Sequence, residues 1–96
     1  MTCSLSTHVL DTAAGRPAGG VAVELRRDGS VLASEETDGD GRARLAEGLA
    51  PGLYTLAFAP PSPFFRRVTL EVELEDGHYH VPLLVSPYGC ATYRGS

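Results

Sequence analysis

The stretch His78-Tyr79-His80-Val81-Pro82-Leu83-Leu84-Val85-Ser86-Pro87-Tyr88-Gly89-Cys90-Ala91-Thr92-Tyr93-Arg94-Gly95-Ser96 sets the reading of the whole sequence. In an extended strand, side chains two residues apart share a face. His78, His80, Pro82 and Leu84 therefore point one way, and Tyr79, Val81, Leu83 and Val85 the other. Ser86, Pro87 and Gly89 are turn formers, so the chain from Cys90 onward can return as a partner strand. That return pins the polar end, Tyr93-Arg94-Gly95-Ser96, to a sheet and holds it close to the two histidines.

Working outward from this hairpin, nearly every segment reads as strand or turn. Val68, Leu70, Val72 and Leu74 alternate with Thr69, Glu71, Glu73 and Glu75, the cleanest amphipathic strand in the sequence, and Asp76-Gly77 turns it into the His78 strand. Pro60-Pro61-Ser62-Pro63 forbids both helix and central strand. Before it, Leu53 to Ala59 is a strand with Tyr54, Leu56 and Phe58 on one side, preceded by a turn at Leu49-Ala50-Pro51-Gly52. Arg42 to Leu45 is a short strand after the turn Asp38-Gly39-Asp40-Gly41, and Val31 to Thr37 is a polar strand suited to an edge. Asp28-Gly29 is a two-residue hairpin signal linking that strand to Val21, Val23 and Leu25. Asp11 to Gly20 has loop composition. In Ser4 to Leu10, Leu5, Thr7 and Val9 lie on one face and Ser4, Ser6 and His8 on the other. No segment has a helical period, and about eight short strands with turn signals between them indicate an all-β sandwich of two sheets.

The bulk numbers limit the function. Ninety-six residues make one domain, 1–96, with 43% apolar residues for one modest core. A monomer of this size buries comparatively little surface, so association of copies would help it. The net charge of −4 argues against nucleic acid, and no apolar run approaches membrane-spanning length. Met1-Thr2-Cys3-Ser4-Leu5 has neither the basic nor the apolar region of a secretion signal, so the cytoplasm is the expected compartment. Cys3 and Cys90 could form one bridge by count, but a reducing compartment favours free thiols.

Chemistry concentrates on a few side chains. Imidazole titrates near neutrality and is the usual general acid and base. His8, His78 and His80 are the three in the chain. A zinc site would need all three in matching geometry, and with no Cys pair and no well-placed carboxylate, no metal is expected. Asp38 to Gly41 lacks the further ligands of a calcium loop and reads as turn chemistry. It displays Arg42, whose guanidinium can fork onto carbonyl oxygens and stabilise negative charge. Cys90 shows no partner base and reads as a small packing residue.

Taken together, His78 to Leu84, Ser86-Pro87-Tyr88-Gly89, Tyr93 to Ser96, Leu5 to Thr12, Gly15-Arg16-Pro17-Ala18 and Thr37 to Arg42 resemble the signatures of the transthyretin-related 5-hydroxyisourate hydrolases. The likeness spans almost the whole chain. It implies a transthyretin-like two-sheet sandwich assembled as a homotetramer, a dimer of dimers, with active sites in the channel between dimers. The implied reaction opens the ring of 5-hydroxyisourate on the route from urate to allantoin, with no cofactor. His8, Arg42 and His80 are the implied catalytic residues, and Tyr93, Arg94, Gly95 and Ser96 the implied substrate-binding tail. His80 is chosen over His78 because the family's catalytic histidine directly precedes Val-Pro-Leu-Leu. Two departures stand out. Only Pro60 to Pro63 precede Phe64-Phe65, so the family's short helix is expected to be missing, and Cys90-Ala91 stands where the family has Tyr-Ser. The alternatives are a non-catalytic carrier of a small aromatic molecule and a structural prealbumin-like module.

Overall fold

The computed structural model describes residues 1–95. Nine strands run in the order β1 (Cys3–Asp11), β2 (Arg16–Pro17), β3 (Ala22–Arg27), β4 (Ser30–Glu36), β5 (Arg42–Leu49), β6 (Gly52–Phe58), β7 (Val68–Leu74), β8 (Gly77–Ser86) and β9 (Gly89–Thr92). They form two sheets, one ordered β2-β1-β8-β9 with β5 also paired to β1, the other β4-β3-β6-β7. Among the described residues there is no helix, and residues 59–67 form an irregular connection. Ser62 organises it: its hydroxyl donates to the Pro87 carbonyl at 2.9 Å and accepts from the Phe65 amide at 2.9 Å.

The core lies between the sheets and follows the alternation of the strands. β1 contributes Cys3, Leu5, Thr7 and Val9, and β8 contributes Val81, Leu83 and Val85. Val23, Leu25, Tyr54, Leu56, Phe58 and Leu74 face them from the second sheet. Thr7 is fully buried and tolerates it because its hydroxyl donates to the Val81 carbonyl at 2.6 Å. β1 and β8 pair in parallel without a register shift, from Cys3 opposite Gly77 to Asp11 opposite Val85. With the inner face consumed by the core, the outer face of this sheet carries Ser4, Ser6 and His8 beside His78 and His80.

Two details differ from the sequence expectation. The loop over Asp11 to Gly20 contains β2, whose Pro17 and Arg16 pair with Leu10 and Asp11. β5 does not stop at Leu45 but continues to Leu49. Its pairing with β1 is irregular between Cys3 and Ser6, and Gly48 sits at φ 66°, so the continuation breaks strict alternation and reads locally as a loop.

The turn before β5 fixes where Arg42 lands. Asp38 Oδ1 accepts from the amides of Asp40 at 2.9 Å and Arg42 at 3.0 Å. The Gly41 carbonyl accepts from the Val9 amide at 2.7 Å, tying the turn to β1. Gly41 has φ +75°, and a Cβ there would run into the Val9 carbonyl oxygen and sit 3.0 Å from Pro17 Cβ. Gly41→Ala is therefore expected to lower unfolding free energy by about 2–4 kcal/mol. Gly39→Ala, where a Cβ meets nothing within 4 Å, should stay within about 0.5 kcal/mol of the parent. Equal urea midpoints for the two variants would contradict this close approach.

Candidate active site

The outer face of the first sheet gathers the chemistry over three neighbouring strands. On β5 and β1, Arg42 is the direct cross-strand partner of His8, and Arg44 that of Ser6. On β1 and β8, Ser6 is level with His80 and Ser4 with His78. Side chains directly opposite on one face are in contact range. The His8 and His80 rings are 6.4 Å apart between centroids, tilted by 41°. A cleft of about 360 Å³ on this face is lined by Ser6, Thr7, Arg42, Ala43, Arg44, His78 and His80. No Asp or Glu is among those residues.

Hydroxyl groups hold the two β8 imidazoles. Ser6 Oγ lies 2.8 Å from His80 Nδ1 and 2.9 Å from His78 Nε2, and Ser4 Oγ lies 2.7 Å from His78 Nδ1. His80 thus keeps Nε2 for the cleft. His8 Nε2 is buried and has no hydrogen-bond partner among the described residues. Leaving a buried polar atom unpaired is costly, which makes this nitrogen ready to bind a polar group brought by a ligand. His80 is held below the ordinary histidine range, first by burial and then by the nearby positive charge of His8, Arg42 and His78. Neutral imidazole is therefore its resting form near pH 7.

The chain end divides between two places. After β9, the Gly95 amide donates to the His80 carbonyl at 2.6 Å. A Cβ on Gly95 would sit 2.9 Å from His80 Cδ2, so the backbone packs against the catalytic candidate's ring. Arg94 points elsewhere: its guanidinium stacks over the Tyr79 ring at 4.1 Å. With Tyr93 it lines a larger, apolar cleft of about 480 Å³ at the open edge between β7 and β9, with Leu70, Val72 and Val81. The structure thus brings His8, Arg42, His80 and Gly95 together and places the Tyr93 and Arg94 side chains on that edge. Ser96 lies outside the described residues. Ser6 and His78 join the site through contacts that span more than 70 positions of sequence. The signal was present in the shared outward face of Ser4, Ser6 and His8, but the partner strand was not.

Comparison with known proteins agrees with this geometry. The sequence profile of the HIUase/Transthyretin family matches residues 5–95. The chain is 50% identical over 112 aligned residues to 5-hydroxyisourate hydrolase of Caulobacter vibrioides, covering 96% of this chain and 97% of that one. The 5-hydroxyisourate hydrolase structure of Klebsiella pneumoniae superposes with TM-score 0.89 at 37% identity, covering 98% and 99% of the two chains. Sea bream transthyretin in complex with thyroxine superposes with TM-score 0.82 at 26% identity, covering 95% and 93%.

The electrostatics of the cleft can be tested directly. By NMR titration, His80 should protonate below about pH 6.5, the ordinary histidine value, and Arg42→Gln should raise its midpoint by removing one source of positive charge. The linked stability has a definite sign. A histidine whose folded pKa is depressed binds fewer protons when folded. His80 should therefore favour unfolding as pH falls below about 6.5 and have no effect above it. A His80 midpoint at or above that value would overturn the assignment of its surroundings.

Proposed function

The chain belongs to the HIUase/Transthyretin family, and from that premise we propose that it hydrolyses 5-hydroxyisourate to 2-oxo-4-hydroxy-4-carboxy-5-ureidoimidazoline, in the degradation of urate to allantoin. The observation that carries this reading is the meeting of His8, Arg42 and His80 on the solvent face of a sheet, away from the core. A fold held up by its inner face has no structural need for two imidazoles and a guanidinium there. The named relatives add weight: the Caulobacter protein is a 5-hydroxyisourate hydrolase at 50% identity, and the alignment covers nearly all of both chains.

In the proposed mechanism His80 Nε2, together with His8, orients a water and takes its proton as the oxygen attacks a ring carbonyl. Arg42 receives the developing oxyanion. The protonated Nε2 then gives its proton to the departing ring nitrogen, and the C–N bond breaks. Only protons and one acyl bond change, so the residues named are chemically sufficient. The tail Tyr93 to Ser96 closes the pocket and binds substrate, a role supported by the Gly95 contact with His80.

The active unit is proposed to be a homotetramer acting in the cytoplasm, with the histidine faces of two dimers meeting across a channel. β7 and β9 each end a sheet and leave an edge open for pairing with another copy. Free thiols at Cys3 and Cys90 suit a reducing compartment. Among the described residues no helix is long and apolar enough to cross a membrane. A mass four times that of the chain by light scattering is the expected result, and a stable monomer would remove the channel.

A carrier would use the same fold, as sea bream transthyretin does with thyroxine, but the polar cleft here favours chemistry over holding an apolar ligand. The test is the ultraviolet decay of freshly generated 5-hydroxyisourate. His80→Ala and His8→Ala should each slow turnover about 10²–10⁴-fold, and Arg42→Gln about 10²–10³-fold. Deleting Tyr93 to Ser96 should raise KM. A His80→Ala protein as fast as the parent would sink the mechanism.

A further inference from the structure

We propose that Ser6 and His78 are positioning residues that hold His80 as the Nδ1–H tautomer and conduct a proton from it to solvent through a relay His80–Ser6–His78–Ser4. This proposal rests on the hydrolase reading above for its place in turnover, but not for its geometry.

The argument starts from one hydroxyl. Ser6 Oγ is within hydrogen-bond distance of a ring nitrogen from each of two histidines, at 2.8 and 2.9 Å. A serine hydroxyl has one proton to donate. It can donate to only one ring and must accept from the other, so the two imidazoles are forced into linked tautomers. In one direction His80 Nδ1–H donates to Ser6, Ser6 donates to His78 Nε2, and His78 Nδ1–H donates to Ser4 Oγ at 2.7 Å. Both His78 nitrogens and His80 Nδ1 are then satisfied, and His80 Nε2 is left with a bare lone pair facing the cleft. The reverse direction satisfies the same links and leaves His80 Nε2 protonated. The two differ by one proton moved along each link, which is what makes the chain a relay.

The surroundings explain why a relay is useful. The charged and titratable groups facing His80 are His8 on β1, Arg42 and Arg44 on β5, and His78 on its own strand, with the Gly95 backbone packed against its ring. All of these side chains are cationic or can become so, and Glu47 on β5 is paired with Arg44 at 2.7 Å. A catalytic imidazole usually leans on a carboxylate that steadies its protonated form. Here a hydroxyl backed by a second imidazole takes that position. A proton taken from water at His80 Nε2 is matched by the Nδ1 proton passing to Ser6, the Ser6 proton passing to His78 Nε2, and the His78 Nδ1 proton leaving toward Ser4 and solvent. One proton enters and one leaves, and His80 stays neutral with its proton now on Nε2; when that proton goes to the departing ring nitrogen, one proton returns along the same links and restores the Nδ1–H form. Exposed His78 is the end of the relay that exchanges protons with solvent.

The experiment uses full-length protein labelled with ¹⁵N-histidine and long-range ¹H–¹⁵N NMR, which reads the tautomer without turnover. Wild type should show His80 as the Nδ1–H tautomer above its titration midpoint. Ser6→Ala should lose that preference, and Ser6→Thr should restore it. Ser6 and His78 sit on the outer face, so neither substitution opens the core. In turnover, Ser6→Ala and His78→Ala should each lower kcat about tenfold with KM unchanged. Mixed H₂O/D₂O rates should be curved in deuterium fraction for wild type and linear for Ser6→Ala. A wild-type His80 in the Nε2–H tautomer, or a Ser6→Ala protein with unchanged tautomer and pH–rate profile, overturns the relay. A wild-type chain inert toward 5-hydroxyisourate sinks the hydrolase reading alone, and the tautomer readout still decides the relay.

Discussion

The parallel pairing of β1 with β8, in register over nine residue pairs, is the constraint on which the site depends. Because a strand alternates its side chains with period two, one registration commits Leu5, Thr7 and Val9 with Val81, Leu83 and Val85 to the core. The same registration commits Ser4, Ser6 and His8 with His78 and His80 to the outside. A slip of β8 by one residue would turn His78 and His80 inward and expose Val81, Leu83 and Val85. The hydrophobic effect on one face thus fixes the chemistry of the other: the site is held in place by residues that never touch a substrate.

How much of this can be read from the sequence depends on the range of the interaction. The alternation within β1, β7 and β8, the Asp28-Gly29 hairpin and the return of β9 after Ser86-Pro87-Tyr88-Gly89 are local, and they are legible. The parallel neighbour of β1 is not, because Ser6 and His80 are 74 positions apart and nothing local says that they meet. For that reason local pattern alone does not bring His8, Arg42 and His80 together, and the contacts of Ser6 with His78 and His80 are visible only in the fold. β5 was cut short for a different reason: Ala46-Glu47-Gly48 has loop composition, and only pairing with β1 keeps it extended. The direction of Arg94 was likewise illegible, since it is decided by the Tyr79 ring.

The helix-free connection before β7 shows what the two sheets do not need in order to close. The alignment with the Caulobacter hydrolase runs over 112 positions, more than this chain's 96 residues, so this chain must carry gaps. At residues 59–67 the path from β6 to β7 is closed by Ser62 hydrogen bonds to Phe64, Phe65 and Pro87. These join the connection to the β8–β9 turn, where Phe64 also packs near Tyr88 with ring centroids 5.9 Å apart. β6 and β7 remain paired from Phe58 opposite Val68 to Gly52 opposite Leu74. Both sheets therefore close without a helix, and the histidine face belongs to the other sheet.

The local charge of the cleft bears on the chemistry more than the net charge does. Overall the chain carries −4. Its acidic residues include Glu35 and Glu36 on β4 and Glu71 and Glu73 on β7, all exposed on the second sheet. The cleft on the first sheet has two guanidiniums and two imidazoles and no carboxylate. Clustered positive charge without a counter-ion disfavours protonation of His80, and it equally favours any group that brings negative charge. A substrate carbonyl that becomes an oxyanion brings additional negative charge only during reaction. Under the proposed mechanism the cleft is more complementary to the transition state than to the ground state, which is the requirement for binding energy to appear as rate. The same reasoning separates it from a carrier site, where complementarity to the resting ligand is sufficient.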